Sequence, residues 1–227
     1  MKSKVHGHSS VDFPDPRDTL AEGIIAVGGI LDEATLYEAY YQGIFPWPQA
    51  GMPMLWFSPE MRGILEFKDF HVAKSLQRFR KNNPQIEFSV NKDFRHVIEE
   101  CAKQPRPGQE GTWILPPMKK AYVHFFEAGH CLSVEVREGN VLIGGIYGVL
   151  IEGVFSAESM FYKKPNASKL AFWHLVEILR AKGHQWMDIQ MVTPVAGSFG
   201  GKYVDRDVFL EMLDERHRNY APDEGAS

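Results

Sequence analysis

The chain has 227 residues, 44% of them hydrophobic and 24% charged, and carries a formal net charge of −4. This is an ordinary globular composition, enough for one large domain or two small ones. The charge argues against a generic nucleic-acid coat while leaving room for a local basic patch.

No apolar run approaches the ~20 residues needed to span a bilayer, and residues 1–12 lack the apolar core of a secretory signal, so no membrane association is expected. The two cysteines, Cys101 and Cys131, fit buried thiols in a reducing cytoplasm. Neither they nor the nine histidines show metal-ligand spacing, so neither a metal nor a cofactor is expected.

In chain order, residues 13–31 read as turns with one short strand. Asp32 is placed to cap a helix over 33–42, closed by Gly43. A proline-rich loop is expected over 45–59, carrying Trp47 and Trp56. A helix over 71–81 repeats Lys74, Arg78 and Lys81 on one face, with Arg80 nearby. Another, capped by Asn91, runs to about Ala102, and a fourth starts at Pro116-Pro117 and stops at Gly129.

The period then changes from helical to alternating. Residues 131–137, 141–151 and 154–161 read as an antiparallel meander with turns at Gly139-Asn140 and Glu152-Gly153. A helix capped by Asn166 or Ser168 follows, through Ala181. A strand over 185–191 and a last helix over 207–218 complete the pattern. The fold class is therefore α+β: a small mixed N-terminal domain (1–60), then a GNAT-like catalytic domain (61–227) with an antiparallel-dominated sheet and flanking helices.

Three polar residues stand out in apolar strands. On plain alternation Phe155, Ala157, Ser159 and Phe161 face one way, and Ser156, Glu158 and Met160 the other. A carboxylate there needs a partner or a polar cavity. Asp188 and Gln190, two apart, project from one face of their strand and suggest a lined cleft, or else a structural hydrogen-bonded pair. Trp47 and Trp113 lie on loops, where aromatic rings either stack on nucleobases or plug onto the core. The basic helix either tracks phosphates or is a solvated face.

Read together, these segments resemble the bacterial leucyl/phenylalanyl-tRNA–protein transferases. The likeness is carried by Ala26-Val27-Gly28-Gly29, residues 39–47 (AYYQGIFPW), Leu55-Trp56-Phe57-Ser58-Pro59, Glu110-Gly111-Thr112-Trp113-Ile114, Gly144-Gly145-Ile146-Tyr147-Gly148-Val149, Glu158-Ser159-Met160-Phe161, Asn166-Ala167-Ser168-Lys169 and Asp188-Ile189-Gln190. The resemblance implies transfer of Leu or Phe, and less well Met, from aminoacyl-tRNA to the N-terminal amine of proteins beginning with Lys or Arg, which marks them for N-degron degradation. It implies that Trp47 and Trp113 hold the terminal adenosine of the tRNA. Ile146, Phe155, Met160, Phe172, Leu175 and Met187 would line the aminoacyl pocket, with Glu158, Asp188 and Gln190 at the reaction centre. Lys74, Arg78, Arg80 and Lys81 would then meet the acceptor stem.

After Gln190 the chain departs from the family pattern, with Val195 where a histidine is usual. Two rivals remain: an acyl-CoA N-acyltransferase, disfavoured because residues 162–169 contain no glycine to cradle a pyrophosphate, and a non-catalytic tRNA- or peptide-binding module.

Overall fold

The computed structural model describes residues 7–19, 22–49, 51–105 and 112–220. The elements run β1 (Ile24–Val27), α1 (Glu33–Tyr41), β2 (Phe45–Trp47), β3 (Leu55–Phe57), β4 (Met61–Glu66), α2 (Lys74–Asn82), β5 (Ile86–Val90), α3 (Phe94–Lys103), α4 (Pro116–Glu127), β6 (Cys131–Glu138), β7 (Val141–Ile151), β8 (Val154–Tyr162), α5 (Ala167–Ala181), β9 (Trp186–Gln190), α6 (Pro194–Gly197), β10 (Lys202–Asp205) and α7 (Arg206–Arg218).

Two sheets result, a small one ordered β1-β3-β2 and a seven-stranded one ordered β10-β4-β9-β8-β7-β6-β5. Every pairing is antiparallel except β8 with β9, which touch in parallel at a single residue pair, Ser156 and Asp188. The expected meander–helix–strand order is present as β6-β7-β8, α5 and β9. The β7–β8 hairpin turns through Glu152 and Gly153, both at positive φ, the two-residue turn whose twist matches its strands.

Each face of the large sheet is covered. On one side α5 seals an apolar cluster that includes Ile146, Phe155, Phe172, Leu175 and Met187. On the other, α3 and α4 share one cluster with α1 and the small sheet, through Leu36, Tyr40, Phe45, Trp56, Val97, Tyr122 and Phe161. The N-terminal elements are therefore packed into the body of the protein. Helix α7 closes the β4 margin with Phe209, Leu210 and Leu213 against Ile64 and Val154. Among the described residues, no helix is long and apolar enough to cross a membrane, and no three metal-ligating side chains cluster.

Several elements differ from the sequence expectation. The 45–59 loop contains β2 and β3, and Pro46 is tolerated because β2 lies at a sheet edge. Helix α3 starts later than expected, at Phe94. Asn91 sits at φ 57 and instead accepts the Ser133 N–H with its side chain.

Candidate functional site

The structure converges on the point where β8 and β9 diverge. Across the β7–β8 ladder Tyr147 opposes Ser159 while Gly148 opposes Ala157, so Glu158 is the extra residue of a β-bulge. Gly148 permits it, because a Cβ there would fall 2.3 Å from the Ser156 carbonyl oxygen and 2.4 Å from the Phe155 ring. The bulge reverses the strand's parity. Phe155 and Met160 pack with the α5-side cluster and Phe161 with the α3/α4 side, correcting the plain alternation that placed Phe155 and Phe161 together.

Released from the ladder, Glu158 meets three donors. The Tyr40 hydroxyl donates to Oε1 at 2.7 Å, the Gln190 amide Nε2 to the same oxygen at 2.7 Å, and the Tyr122 hydroxyl to Oε2 at 3.3 Å. The two tyrosine oxygens are 2.5 Å apart. Burial pushes the Glu158 carboxyl up from 4.5 to about 7, against the pull of the Tyr40 hydrogen bond. Burial likewise raises both phenols well above their ordinary range. Near neutrality the protein thus holds a carboxyl poised between its two protonation states inside a ring of hydroxyl and amide groups. Tyr40 and Tyr122 were not singled out from sequence; each reads as an aromatic on the buried face of a helix, and nothing local marks its hydroxyl.

Asp188 is fully enclosed. Its Oδ1 and Oδ2 accept from Nε and Nη2 of Arg62 at 2.9 and 2.7 Å, and Oδ1 also accepts the Gln190 backbone N–H at 2.8 Å. At 0% exposure with both oxygens engaged, it has no free face for a substrate. Gln190, at φ 57, turns its side chain toward Glu158. Donation from Nε2 leaves the carboxamide oxygen as the group able to accept.

Trp47 ends β2, and Trp113 lies just before α4. Their rings are parallel within 9°, with centroids 6.0 Å apart. Glu110 and Gly111, quoted for the Trp113 motif, lie outside the described residues. Of the six residues expected to line an apolar pocket, Ile146, Phe155, Phe172, Leu175 and Met187 are buried in the α5-side cluster and Met160 is partly exposed beside them. A separate cavity of about 580 Å³ opens at the far end of the sheet, lined by Gly153, Arg180, His184, Trp186 and Arg216 among others. None of the expected site residues lines it.

The basic helix splits. Lys74, Arg78 and Lys81 are exposed on α2, whereas Arg80 is held at 2.9 Å by Glu177 and lies over the rings of Trp173 and Phe88. Val195 sits in α6, which Thr193 caps, and its side chain packs against the α5-side cluster.

Two family models match the chain, the leucyl/phenylalanyl-tRNA protein transferase over residues 64–214 and the N-terminal domain of the same transferase over 29–60. A leucyl/phenylalanyl-tRNA–protein transferase of Oleidesulfovibrio alaskensis is 45% identical over 213 residues, covering 92% of this chain and 86% of that protein. One from Vibrio parahaemolyticus is 40% identical over 218 residues, covering 95% and 91%. Among solved structures, L-PGS from Bacillus licheniformis aligns at a TM-score of 0.43 and 11% identity over 77% of this chain and 66% of that one. The AAC(6')-Iy structure with a bisubstrate analogue aligns at 0.32 and 12% over 63% and 95%. Likenesses that distant assign no residue.

Proposed function

Since the chain belongs to the leucyl/phenylalanyl-tRNA–protein transferase family, we propose that it moves Leu or Phe, and Met more slowly, from tRNA to proteins beginning with Lys or Arg, as a cytoplasmic step that marks them for N-degron degradation. The observation that carries the site reading is the Gln190–Glu158 contact at 2.7 Å, which fixes a carboxamide and a carboxyl of raised pKa side by side.

The donor is an activated ester, so the reaction runs downhill without ATP. The attacking amine nitrogen bonds to the carbonyl carbon, the bond from that carbon to the ribose oxygen breaks, the nitrogen sheds a proton, and the departing ribose oxygen takes one up to leave as the free hydroxyl of the tRNA. A free α-amine has pKa ~7.7–8.0, so near neutrality the task is to select and orient its minor neutral form. Gln190 Oε1 accepts a hydrogen bond from that amine. Glu158 in its ionised form stabilises the positive charge growing on nitrogen and takes the proton. Asp188 contributes by fixing the Gln190 backbone, without touching substrate. Alignment of this kind supplies several kcal/mol, with ~7–11 kcal/mol the ceiling for ideal geometry.

Trp47 and Trp113 stack on the terminal adenosine, and the donor side chain enters the α5-side cluster beside Met160. Neighbouring apolar shapes differ there by only ~1–3 kcal/mol, hence the slower use of Met. Exposed Lys74, Arg78 and Lys81 meet acceptor-stem phosphates, and Arg80 supports the helix that presents them. The chain divides functionally into residues 1–60, which bring Trp47 and Tyr40, and the GNAT-like 61–227, which brings the reaction centre.

The test is one incubation with labelled Leu-tRNA, labelled acetyl-CoA and paired peptides that differ only in starting with Arg or Glu. Leucyl label on the Arg peptide is expected. Acetyl label would point to the acyl-CoA rival, and no transfer at all to a binding module.

A further inference from the structure

We propose that Arg62 is a positioning residue for the transfer step: by gripping Asp188 it holds the Gln190 backbone in the left-handed turn from which its carboxamide reaches Glu158. The inference rests on the reaction centre described above and adds a residue to it.

Arg62 is 1% exposed, on β4. The rings of Phe45 and Phe209 lie on its guanidinium, 4.7 and 4.5 Å from their centroids. Held there, its planar fork meets both Asp188 oxygens, a two-point contact that an ammonium cannot reproduce. One of those oxygens also takes the Gln190 N–H. Gln190 is one of few non-glycine residues at positive φ, a conformation that persists only when its surroundings enforce it. The fork, the carboxylate and the N–H form that enforcement. A chain of three contacts therefore runs from a buried cation to the amide facing Glu158.

A second feature separates this role from simple stabilisation. Among the described residues, Arg62 Nη1 is one of five buried side-chain polar atoms with no hydrogen-bond partner. A buried ion pair with an unsatisfied N–H is a poor device for stability, since apolar replacements of similar volume often do as well. What apolar residues cannot supply is an acceptor for the Gln190 N–H. Of the two rings over Arg62, Phe45 belongs to β2, where it meets Trp47 edge-on at 6.4 Å. The grip is thus anchored to the strand that carries the adenosine-stacking ring.

Three variants test the inference by single-turnover transfer at saturating Leu-tRNA, with melting temperatures and KM for the tRNA measured alongside. Arg62→Lys should slow transfer at least tenfold with KM within twofold of wild type. The double variant Arg62→Met, Asp188→Leu should stay folded and transfer at least 100-fold more slowly. Gln190→Ala gauges the centre itself. Wild-type rates in folded Arg62→Lys, or in the double variant, overturn the role of Arg62 when Gln190→Ala is slow. Wild-type rates in Gln190→Ala overturn the reaction centre instead. If Arg62→Lys does not fold, the double variant decides alone.

Discussion

Replacing Glu158 by Gln keeps the size of the side chain and an oxygen to accept the Tyr40 hydroxyl, and it removes one titration. In the folded protein that carboxyl ionises at about 7 instead of 4.5, with burial the main cause and the nearby Asp188 charge adding to it. Each pH unit between those values is worth about 1.4 kcal/mol, so ionising Glu158 in place costs the fold on the order of 3 kcal/mol. Because the folded-state pKa is raised, the stabilising contribution is complete below about 4.5, falls as pH rises, and is gone above about 7. The variant escapes this loss. Its stability relative to wild type should therefore grow by roughly 3 kcal/mol between pH 4.5 and 8, or about 6–12 °C in melting temperature for a chain of this size. Hydrogen bonds lost in the variant shift the whole difference by a constant and leave its slope intact. Denaturant or thermal melts of both proteins across that range check it. Parallel curves would refute the claim that Glu158 is held near neutrality by burial. The wild-type transfer rate should also rise through pH 7, and the variant should keep only the later rise set by deprotonation of the attacking amine at ~7.7–8.0.

Trp47→Ala should weaken donor binding by about 1–3 kcal/mol, roughly 5- to 150-fold in the KM for aminoacyl-tRNA, and leave saturated turnover largely intact. Gly148→Ala should both destabilise the fold by several kcal/mol and abolish transfer, because its Cβ drives into Ser156 and Phe155 at the bulge; a stable, active variant would sink the bulge argument. Removing Lys74, Arg78 and Lys81 together should lower tRNA affinity and flatten its salt dependence, read by binding titrations at several ionic strengths. Arg80→Ala should instead lower the melting temperature, through its lost contacts with Glu177 and Trp173.

What the sequence made legible was whatever is periodic or local. The meander, its two tight turns and the cap at Asp32 all rest on contacts within a few residues, and all are present. Strands β2 to β5 and β10 were not expected from the sequence, and β4 shows one reason. Strand β4 carries Arg62 and Gly63, which break an apolar pattern, and the partner that makes the arginine tolerable lies 126 residues away. The bulge at Glu158 escaped alternation because one extra residue shifts every side chain after it to the opposite face, although Gly148 across the ladder was its available signal. Glu158, Asp188 and Gln190 were visible as polar residues in apolar strands. That Asp188 faces a buried guanidinium was not, since any strand pattern shows which side a residue takes and never what waits there.

The hydroxyl that reaches Glu158 comes from a residue 118 positions earlier, and the guanidinium under Asp188 from one 126 positions earlier. Contacts so distant along the chain form late, after the loops between them have closed. During synthesis, then, a nascent polypeptide cannot assemble the Glu158, Asp188 and Gln190 contacts until β9 has emerged and docked, even with Trp47 and Trp113 already outside the ribosome.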